Sequence, residues 1–338
     1  MTENLCKIII NDKREISAFT GISLLQALKN ENIFLPSACG GRGICGLCRL
    51  RVLAGAPENL TQSELLHLDA AEQQNHFRLA CQVRVMENLR IFIPESHSNA
   101  RTFKAIVTEI NDLTRDIKEL RLKLQTPPAI LFKSGQYVQL RIPPYSGNQK
   151  IAYRAYSIAS PPSQNAVIEL EIRRVPHGIG TTYVFERLKK DDTIAFNGPY
   201  GDFCLHDNDK PIVMIAGGSG MAPIKSMLAD MRDRKIKRKI RYFFGAQTPA
   251  DIFYADLMFS FERTLPDFKF IPTVAGKSPG EKWEGEIGLV TEVVARCLED
   301  GYDGEAYLCG SPAMIDACMN ILHQKKVADE RIFYDKFA

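Results

Sequence analysis

The stretch S-A-C-G-G-R-G-I-C-G-L-C, residues 37–48, sets Cys39, Cys45 and Cys48 in one glycine-rich loop, and R-L-A-C-Q adds Cys81 later. The spacing is C-x5-C-x2-C-x32-C. Four thiolates, two for each iron, are what a [2Fe–2S] cluster requires. Gly40, Gly41, Gly43 and Gly46 suit such a loop, because glycine takes positive φ and lets backbone N–H groups point at sulfur. A structural zinc site favours two short cysteine pairs, and here only Cys45–Cys48 is a C-x-x-C. Disulfides fit less well still: nothing marks secretion, and nine cysteines in 338 residues is an ordinary content.

Outward from this loop the chain changes character twice. Before it come two short strands, Leu5–Ile10 and Glu15–Phe19, and a helix from Ser23, with Ser23/Gln26 and later Thr61/Glu64 as capping-box pairs. After it the strand-like segments R-L-R-V-L, L-A-C-Q-V-R-V and L-R-I-F-I-P complete a small β-grasp-like α+β unit, with two short helices among them. The polar, aperiodic P-E-S-H-S-N-A-R, residues 94–101, reads as a linker. From about Arg101 to Leu205, short alternating strands such as I-K-E-L-R-L-K-L, Q-Y-V-Q-L-R-I, V-I-E-L-E-I-R-R and D-T-I-A-F predict an antiparallel barrel. From Asp209 strands and helices alternate, beginning with P-I-V-M-I-A, G-G-S-G and A-P-I-K-S-M-L-A-D-M, which predicts a parallel, doubly wound α/β sheet. The expected fold is therefore multidomain, with units at 1–98, 99–205 and 206–338.

Composition narrows the function. The net charge of +3 gives no case for nucleic acid or a charged membrane as partner. No stretch approaches the roughly 20 apolar residues of a membrane span. The N-terminus M-T-E-N-L-C-K lacks a signal peptide's layout, and the free-looking cysteines point to a reducing cytoplasm. Cys6, Cys204, Cys297 and Cys318 have no partner spacing and read as core residues.

Two further patterns carry chemistry. Arg154-Ala155-Tyr156-Ser157 reads as lying near the start of a barrel strand, with the cation on one face and the ring and hydroxyl on the other. Downstream, Gly178-Ile179-Gly180-Thr181-Thr182 opens a helix whose N-terminal amides and hydroxyls suit a phosphate, and Arg154 could clamp the same phosphate. Gly217-Gly218-Ser219-Gly220-Met221-Ala222-Pro223 sits between a buried strand and a helix, where glycines admit a dinucleotide pyrophosphate. It is not G-x-G-x-x-G, so a plain tight turn stays open as a reading. Cys309-Gly310-Ser311-Pro312 ends a later strand on the side where such sheets bind ligands, although Cys309 also reads as a small buried apolar residue.

Taken in order, the four cysteines, R-A-Y-S, G-I-G-T-T, G-P-Y-G, G-G-S-G-M-A-P and Y-L-C-G-S-P resemble the ferredoxin–NAD(P)H reductase superfamily, in its members with a fused N-terminal [2Fe–2S] domain. These include reductase components of phenol, methane and benzoate oxygenases and the F subunit of Na+-translocating NADH:quinone reductase. The cluster loop is one residue longer than the x4 spacing of plant-type ferredoxins, and with Y-R-A-Y-S and P-H-G-I-G-T-T-Y it looks most like the quinone-reductase subunit, whose N-terminal membrane helix this chain does not show. The resemblance implies FAD, a [2Fe–2S] cluster and NADH as cofactors. It also implies roles: Arg154 on the flavin phosphate, Tyr156 on the isoalloxazine, Ser157 near flavin N5, and Gly180, Thr181 and Thr182 on the pyrophosphate. Gly217, Gly218, Gly220 and Pro223 would shape the nucleotide loop, Cys309 and Gly310 would border the nicotinamide, and Phe337 would cover a flavin face unless it is a plain strand residue. NADH is expected over NADPH because G-A-Q-T-P-A-D lacks an arginine for a 2′-phosphate. The expected output is single electrons to a redox protein such as an oxygenase component. A quinone-reductase-like module and a non-catalytic redox carrier are the alternatives.

Overall fold

The computed structural model describes residues 5–37, 39–57, 59–94 and 100–337. Most of the expected linker, residues 95–99, lies outside the described residues. Strand β1 (Leu5–Ile10) alternates exposed and buried side chains, sending Cys6, Ile8 and Ile10 inward. It pairs antiparallel with β2 (Arg14–Phe19) and parallel with β5 (Leu89–Phe92). With β3 (Arg49–Ala54) and β4 (Phe77–Leu79) they form a sheet in the order β2-β1-β5-β3-β4. Helix α1 (Leu24–Asn30) covers it with Leu24, Leu25, Ala27 and Leu28.

Two local expectations need correction. Ser23 caps α1 by accepting from the Gln26 N–H, but Gln26 turns its side chain to Asn30, so only half of that box forms; Thr61 and Glu64 complete theirs at α2 (Gln62–His67). The segment L-A-C-Q-V-R-V is not a strand. β4 stops at Leu79, whose carbonyl accepts from both Gln82 and Val83 N–H in a turn. That turn places Cys81 opposite the cysteine loop, where Ala80 N–H donates to Cys48 O at 2.8 Å.

The second sheet runs β10-β7-β6-β11-β8-β9, all antiparallel. A bridge from Ile158 to Leu170 joins its two ends and closes the barrel around Leu120, Leu122, Val138, Leu140 and Phe196. Here β6 is Arg101–Asp112, β7 Ile117–Thr126, β8 Tyr137–Ile142, β9 Ala152–Ser157, β10 Val167–Arg173 and β11 Thr193–Tyr200.

The third sheet is wholly parallel, in the order β15-β14-β13-β12-β16-β17. Strand β12 (Ile212–Gly217) is an apolar run, and β16 (Glu305–Gly310) is one after its first residue, Glu305; both are buried on both faces up to Gly217, as a doubly wound sheet requires. The order reverses between them. The flanking strands are β13 (Lys239–Ala246), β14 (Asp267–Val274), β15 (Glu286–Ile287) and β17 (Ile332–Lys336). Helices α5 (Met221–Asp233), α6 (Ala255–Thr264), α7 (Val290–Cys297) and α8 (Pro312–Gln324) pack on the two faces. Of the spare cysteines, Cys6 and Cys318 are buried and Cys204 is half-buried. Cys297 is exposed rather than core, because it ends α7 after the buried Val290, Val293 and Val294.

One buried cation joins barrel and nucleotide domain. Lys225 of α5 lies 3.0 Å from Glu169 and 3.5 Å from both Glu119 and Glu171. Glu119 and Glu171 sit directly opposite each other on β7 and β10, so without Lys225 two like charges would face each other across the strands, an unfavourable pairing. Burial opposes the Lys225 charge, but the three carboxylates hold its pKa above the ordinary lysine value. Neither Glu171 oxygen has a hydrogen-bond partner, and burial pushes its pKa up to about 7. Lys225, Glu119, Glu169, Tyr242, Tyr254 and Cys309 are the titratable groups around it. A carboxyl raised on folding contributes stability that is complete below its unfolded value and is lost as pH rises through about 7. Glu171→Gln should therefore flatten a decline in stability on the order of 2–3 kcal/mol between pH 5 and 8, read as melting temperature against pH. An unchanged pH profile would show that Glu171 is not the group responsible.

Candidate functional site

The cluster loop folds as its glycines require. Gly40, Gly41, Gly43 and Gly46 have φ of +69°, +93°, +78° and +66°, values that side-chain-bearing residues adopt only at a cost. The amides of Gly41, Arg42 and Ile44 point at the Cys39 sulfur, and that of Gly43 at Cys81. Cys39, Cys48 and Cys81 are buried and Cys45 is half-buried.

The four thiols come together as two pairs. Cys45 and Cys39 sulfurs are 3.4 Å apart, and Cys48 hydrogen-bonds Cys81. Hydrogen bonding within each pair lowers the Cys39 pKa to about 4 and the Cys81 pKa to about 7 while raising those of Cys45 and Cys48. Among the described residues, no three His, Cys, Asp or Glu side chains converge as they would on a single ion. Two pairs of thiols inside a nest of amides fit a two-iron cluster better than one tetrahedral zinc.

An ion pair braces this site from below. Glu64 is fully buried and takes Arg78 Nε at 2.8 Å and Nη2 at 3.1 Å, while Leu79 N–H donates to it at 3.1 Å. It therefore fixes β4 two residues before Cys81. Burial raises the Glu64 pKa, but Arg78 and the amides of Thr61 and Leu79 outweigh it and hold the carboxyl below its usual range. Sequence reading saw Glu64 only as a helix cap.

The second site lies where β9 meets α4 (Ile179–Glu186). R-A-Y-S ends β9 rather than starting it. Arg154 and Tyr156 share one face of the strand, as a period of two demands: a Cβ on Gly180 would lie 2.8 Å from Arg154 Cγ and 2.9 Å from Tyr156 Oη. The expected split of cation from ring is thus corrected, and Ser157 alone points the other way. The first turn of α4 has no side-chain cap, so its N–H groups are open to an anion. The Thr181 hydroxyl is engaged by Val175 and Gly178 and the Thr182 N–H donates to Gly178 O at 2.8 Å, which leaves the Thr181 amide and the Thr182 hydroxyl for such a role.

The third site occupies the point where the parallel sheet reverses order, the usual ligand crevice of such folds. Gly217 ends β12, Gly218–Gly220 form a short 3₁₀ turn, and Pro223 lies buried in the first turn of α5. A Cβ on Gly220 would fall 2.2 Å from Cys309 O, so only backbone fits at that turn, and one on Gly310 would lie 2.6 Å from the Met314 methyl. A cavity of about 460 Å³ opens beside Gly217 and Gly218, with Arg173, Gln247, Asp251 and Met314 in its wall.

Sequence reading missed Asp335. It pairs with Cys309 across β16 and β17, and the Ser157 hydroxyl donates to its carboxylate at 3.5 Å. Burial pushes its pKa up to about 6 against the Ser157 hydrogen bond. Cys309 is fully buried, and its thiol is pushed up by the same cause. A lone acid in a terminal strand usually faces water, which is why Y-D-K-F carried no signal. Phe337 follows β17 and donates its N–H to Gly310 O at 2.9 Å, with its ring against the nucleotide-domain core.

Family comparisons follow the same three units. A 2Fe-2S iron-sulfur cluster binding domain matches residues 8–86, an oxidoreductase FAD-binding domain 104–204 and an oxidoreductase NAD-binding domain 214–320. The chain is 32% identical to the F subunit of the Na(+)-translocating NADH-quinone reductase of Methylococcus capsulatus, over 100% of this chain and 92% of that one. It belongs to the NAD(P)H–FAD–[2Fe–2S] electron-transfer reductases. Within this family it is also 33% identical to the phenol hydroxylase P5 protein of Acinetobacter pittii, over 93% and 89% of the two chains. Its structure resembles the Amycolatopsis cytochrome P450 reductase GcoB, with a TM-score of 0.77, 28% identity and 98% of both chains covered. The fold and the cofactor set expected from sequence are those of this reductase family. Among the described residues, no helix is long and apolar enough to cross a membrane.

In a reductase braced by Glu64, removing that carboxylate strands a buried guanidinium. Glu64→Ala should cost about 3–5 kcal/mol of iron–sulfur domain stability and lower the iron content of the purified protein, with flavin content unchanged. Wild-type iron content and denaturation midpoint would count against the brace.

Proposed function

We propose that this reductase takes electrons from NADH and delivers them singly to a protein acceptor, a terminal oxygenase component or another metalloprotein. One observation carries the reading. The Arg154 stem packs on the α4 N-terminus, while its Nη1 lies 2.6 Å from where a Gly40 side chain would begin, so one residue borders both the phosphate site and the cluster loop. Segments 1–98, 99–205 and 206–338 are then the carriers of cluster, flavin and nucleotide.

When bound, NADH supplies a hydride, FAD takes the electron pair, and the cluster held by Cys39, Cys45, Cys48 and Cys81 passes electrons one at a time. The chain's own residues bind and orient. Arg154, the amides of Gly180 and Thr181 and the Thr182 hydroxyl would hold the FAD pyrophosphate, and Tyr156 would pack on the isoalloxazine. Ser157, oriented by Asp335, presents its hydroxyl near flavin N5. Gly217, Gly218, Gly220 and Pro223 let the dinucleotide approach α5, and Cys309 and Gly310 border the nicotinamide. The burial of Cys309 keeps water from the hydride path. Phe337 shields the flavin face beside Gly310.

Asp251 supports NADH over NADPH. Its carboxylate stands in the cavity wall, anchored by the Thr248 N–H and hydroxyl at 3.1 and 2.9 Å. Ribose hydroxyls would find an acceptor there, whereas a 2′-phosphate would meet negative charge. The exposed Arg115 is 3.8 Å from Asp251 and is its one cationic neighbour among the described ion pairs. A second reading, a quinone-reductase-like dehydrogenase module, is favoured by the likeness to the Methylococcus quinone-reductase chain, which runs the full length of this one. Reduced cysteines favour the cytoplasm as its place of action in either case.

Anaerobic NADH titration followed by visible absorption and electron paramagnetic resonance tests the relay. Bleaching of the flavin bands together with a rhombic reduced-cluster signal is expected, and flavin reduction without that signal would remove the single-electron output. Electron delivery to an oxygenase component rather than to a quinone then separates the two acceptors. Asp251→Thr should lower kcat/KM for NADH about tenfold, ~1.4 kcal/mol, and raise it for NADPH. An unchanged NADH/NADPH ratio would refute the role of Asp251.

A further inference from the structure

Lys29 stands where the iron–sulfur and flavin domains meet. It lies in the last turn of α1. One turn earlier on that helix, Leu25 comes within 3.6 Å of where a Cβ on Gly41 of the cluster loop would be. The Lys29 ammonium is 4.9 Å from the centre of the Tyr153 ring. Tyr153 O in turn accepts from Arg154 Nη1 at 2.8 Å and lies 3.5 Å from the Cβ position of Gly40. Lys29, Tyr153, Arg154 and Gly40 therefore form one continuous joint bearing two cations.

The ionisable groups that act most strongly on Lys29 are the thiols of Cys48, Cys39 and Cys81 and the Arg154 guanidinium, and among the described residues no carboxylate forms an ion pair with it. Half-burying an ammonium without a carboxylate is unfavourable unless other negative charge faces it. Two ferric irons, two sulfides and four thiolates together carry a net charge of about −2, and each electron the cluster accepts adds one more negative charge.

We infer that Lys29 is a positioning residue for the flavin-to-cluster step: packed on Tyr153, its ammonium holds the cluster loop to the barrel and stabilises the negative charge of the reduced cluster. The step moves one electron. Reduced flavin loses it, one iron goes from Fe(III) to Fe(II), and the step neither makes nor breaks a covalent bond. A fixed cation nearby makes that reduction easier and so raises the cluster potential relative to the flavin. The ring of Tyr153 keeps the cation in place. This inference rests on the four-cysteine cluster reading.

The test uses the full chain carrying flavin and cluster, with iron and flavin quantified and both potentials measured by mediator titration. Resonance spectroscopy follows the cluster and visible absorption the flavin. Lys29→Met keeps an apolar stem on Tyr153 and removes the charge, Lys29→Arg restores the charge, and Lys13→Met removes one charge at the exposed β1–β2 turn. Lys29→Met should lower the cluster potential by about 59 mV against an unmoved flavin, a tenfold change in electron partition, while Lys29→Arg and Lys13→Met stay near the parent value. An unmoved cluster potential in loaded Lys29→Met overturns the inference, and so does an equal fall in the Met and Arg variants. If Lys29→Met loses iron, Lys29→Gln measured the same way decides. A parent protein with no cluster signal would instead overturn the four-cysteine reading.

Discussion

Electrons pass between carriers only across short gaps, so this molecule depends on how closely the cluster loop approaches the flavin barrel. Gly40 makes that approach. Its φ of +69° disfavours any side chain, and one placed there would have to push the Arg154 guanidinium aside. Around this point Phe34 stacks toward Tyr153, with ring centres 6.1 Å apart, and Gln139 donates to Leu35 O at 2.8 Å. The hydroxyls of Tyr137 and Tyr200 are buried in the same joint without a protein partner. An unmet hydroxyl costs about 1–3 kcal/mol, so the joint is held by ring packing and cations more than by neutral hydrogen bonds.

Buried charge recurs wherever distant parts of the chain must meet. Glu64 and Arg78 tie α2 to β4 beneath the cluster, Arg238 and Glu305 pair at 2.7 Å across the nucleotide domain, and Lys225 gathers three barrel carboxylates. Apolar substitutes of equal volume could match the stability of such pairs. What apolar contact does not supply is register. A methyl group slides along a β-strand at little cost, whereas an ammonium shared by Glu119, Glu169 and Glu171 fixes α5 against β7 and β10 to within an ångström or so, and with it the glycine turn that opens α5.

This division explains what the sequence made legible. The cluster loop was readable because its chemistry is local: cysteine spacing and glycines with positive φ are properties of a dozen residues. The barrel and the parallel sheet were readable from the change in apolar period at Arg101 and Asp209. Asp335, Glu64 and Lys225 were not, because each gains its meaning from a partner far along the chain, and on its own reads as a solvated or capping charge. The misplaced faces of β9 have a different origin. Arg154 and Tyr156 are two apart and must share a face, and only the nearness of Gly180 to both made that plain.

The two joints of the barrel balance buried charge in different ways. On the nucleotide side, three carboxylates surround one lysine, so even with Glu171 protonated no positive excess remains. On the cluster side, Lys29 and Arg154 border the cysteine loop, and among the described residues neither forms an ion pair with a carboxylate. On the nucleotide side Arg121, 2.8 Å from Glu169, brings that joint close to neutral, while on the cluster side the two cations face the negative charge that a loaded cluster would supply. Both joints are largely buried, where charges act at an effective dielectric well below that of water, and salt screens them little. One joint thus balances its charge with its own side chains and the other leaves that balance to what the cysteine loop holds, a difference set by residues far apart in the sequence.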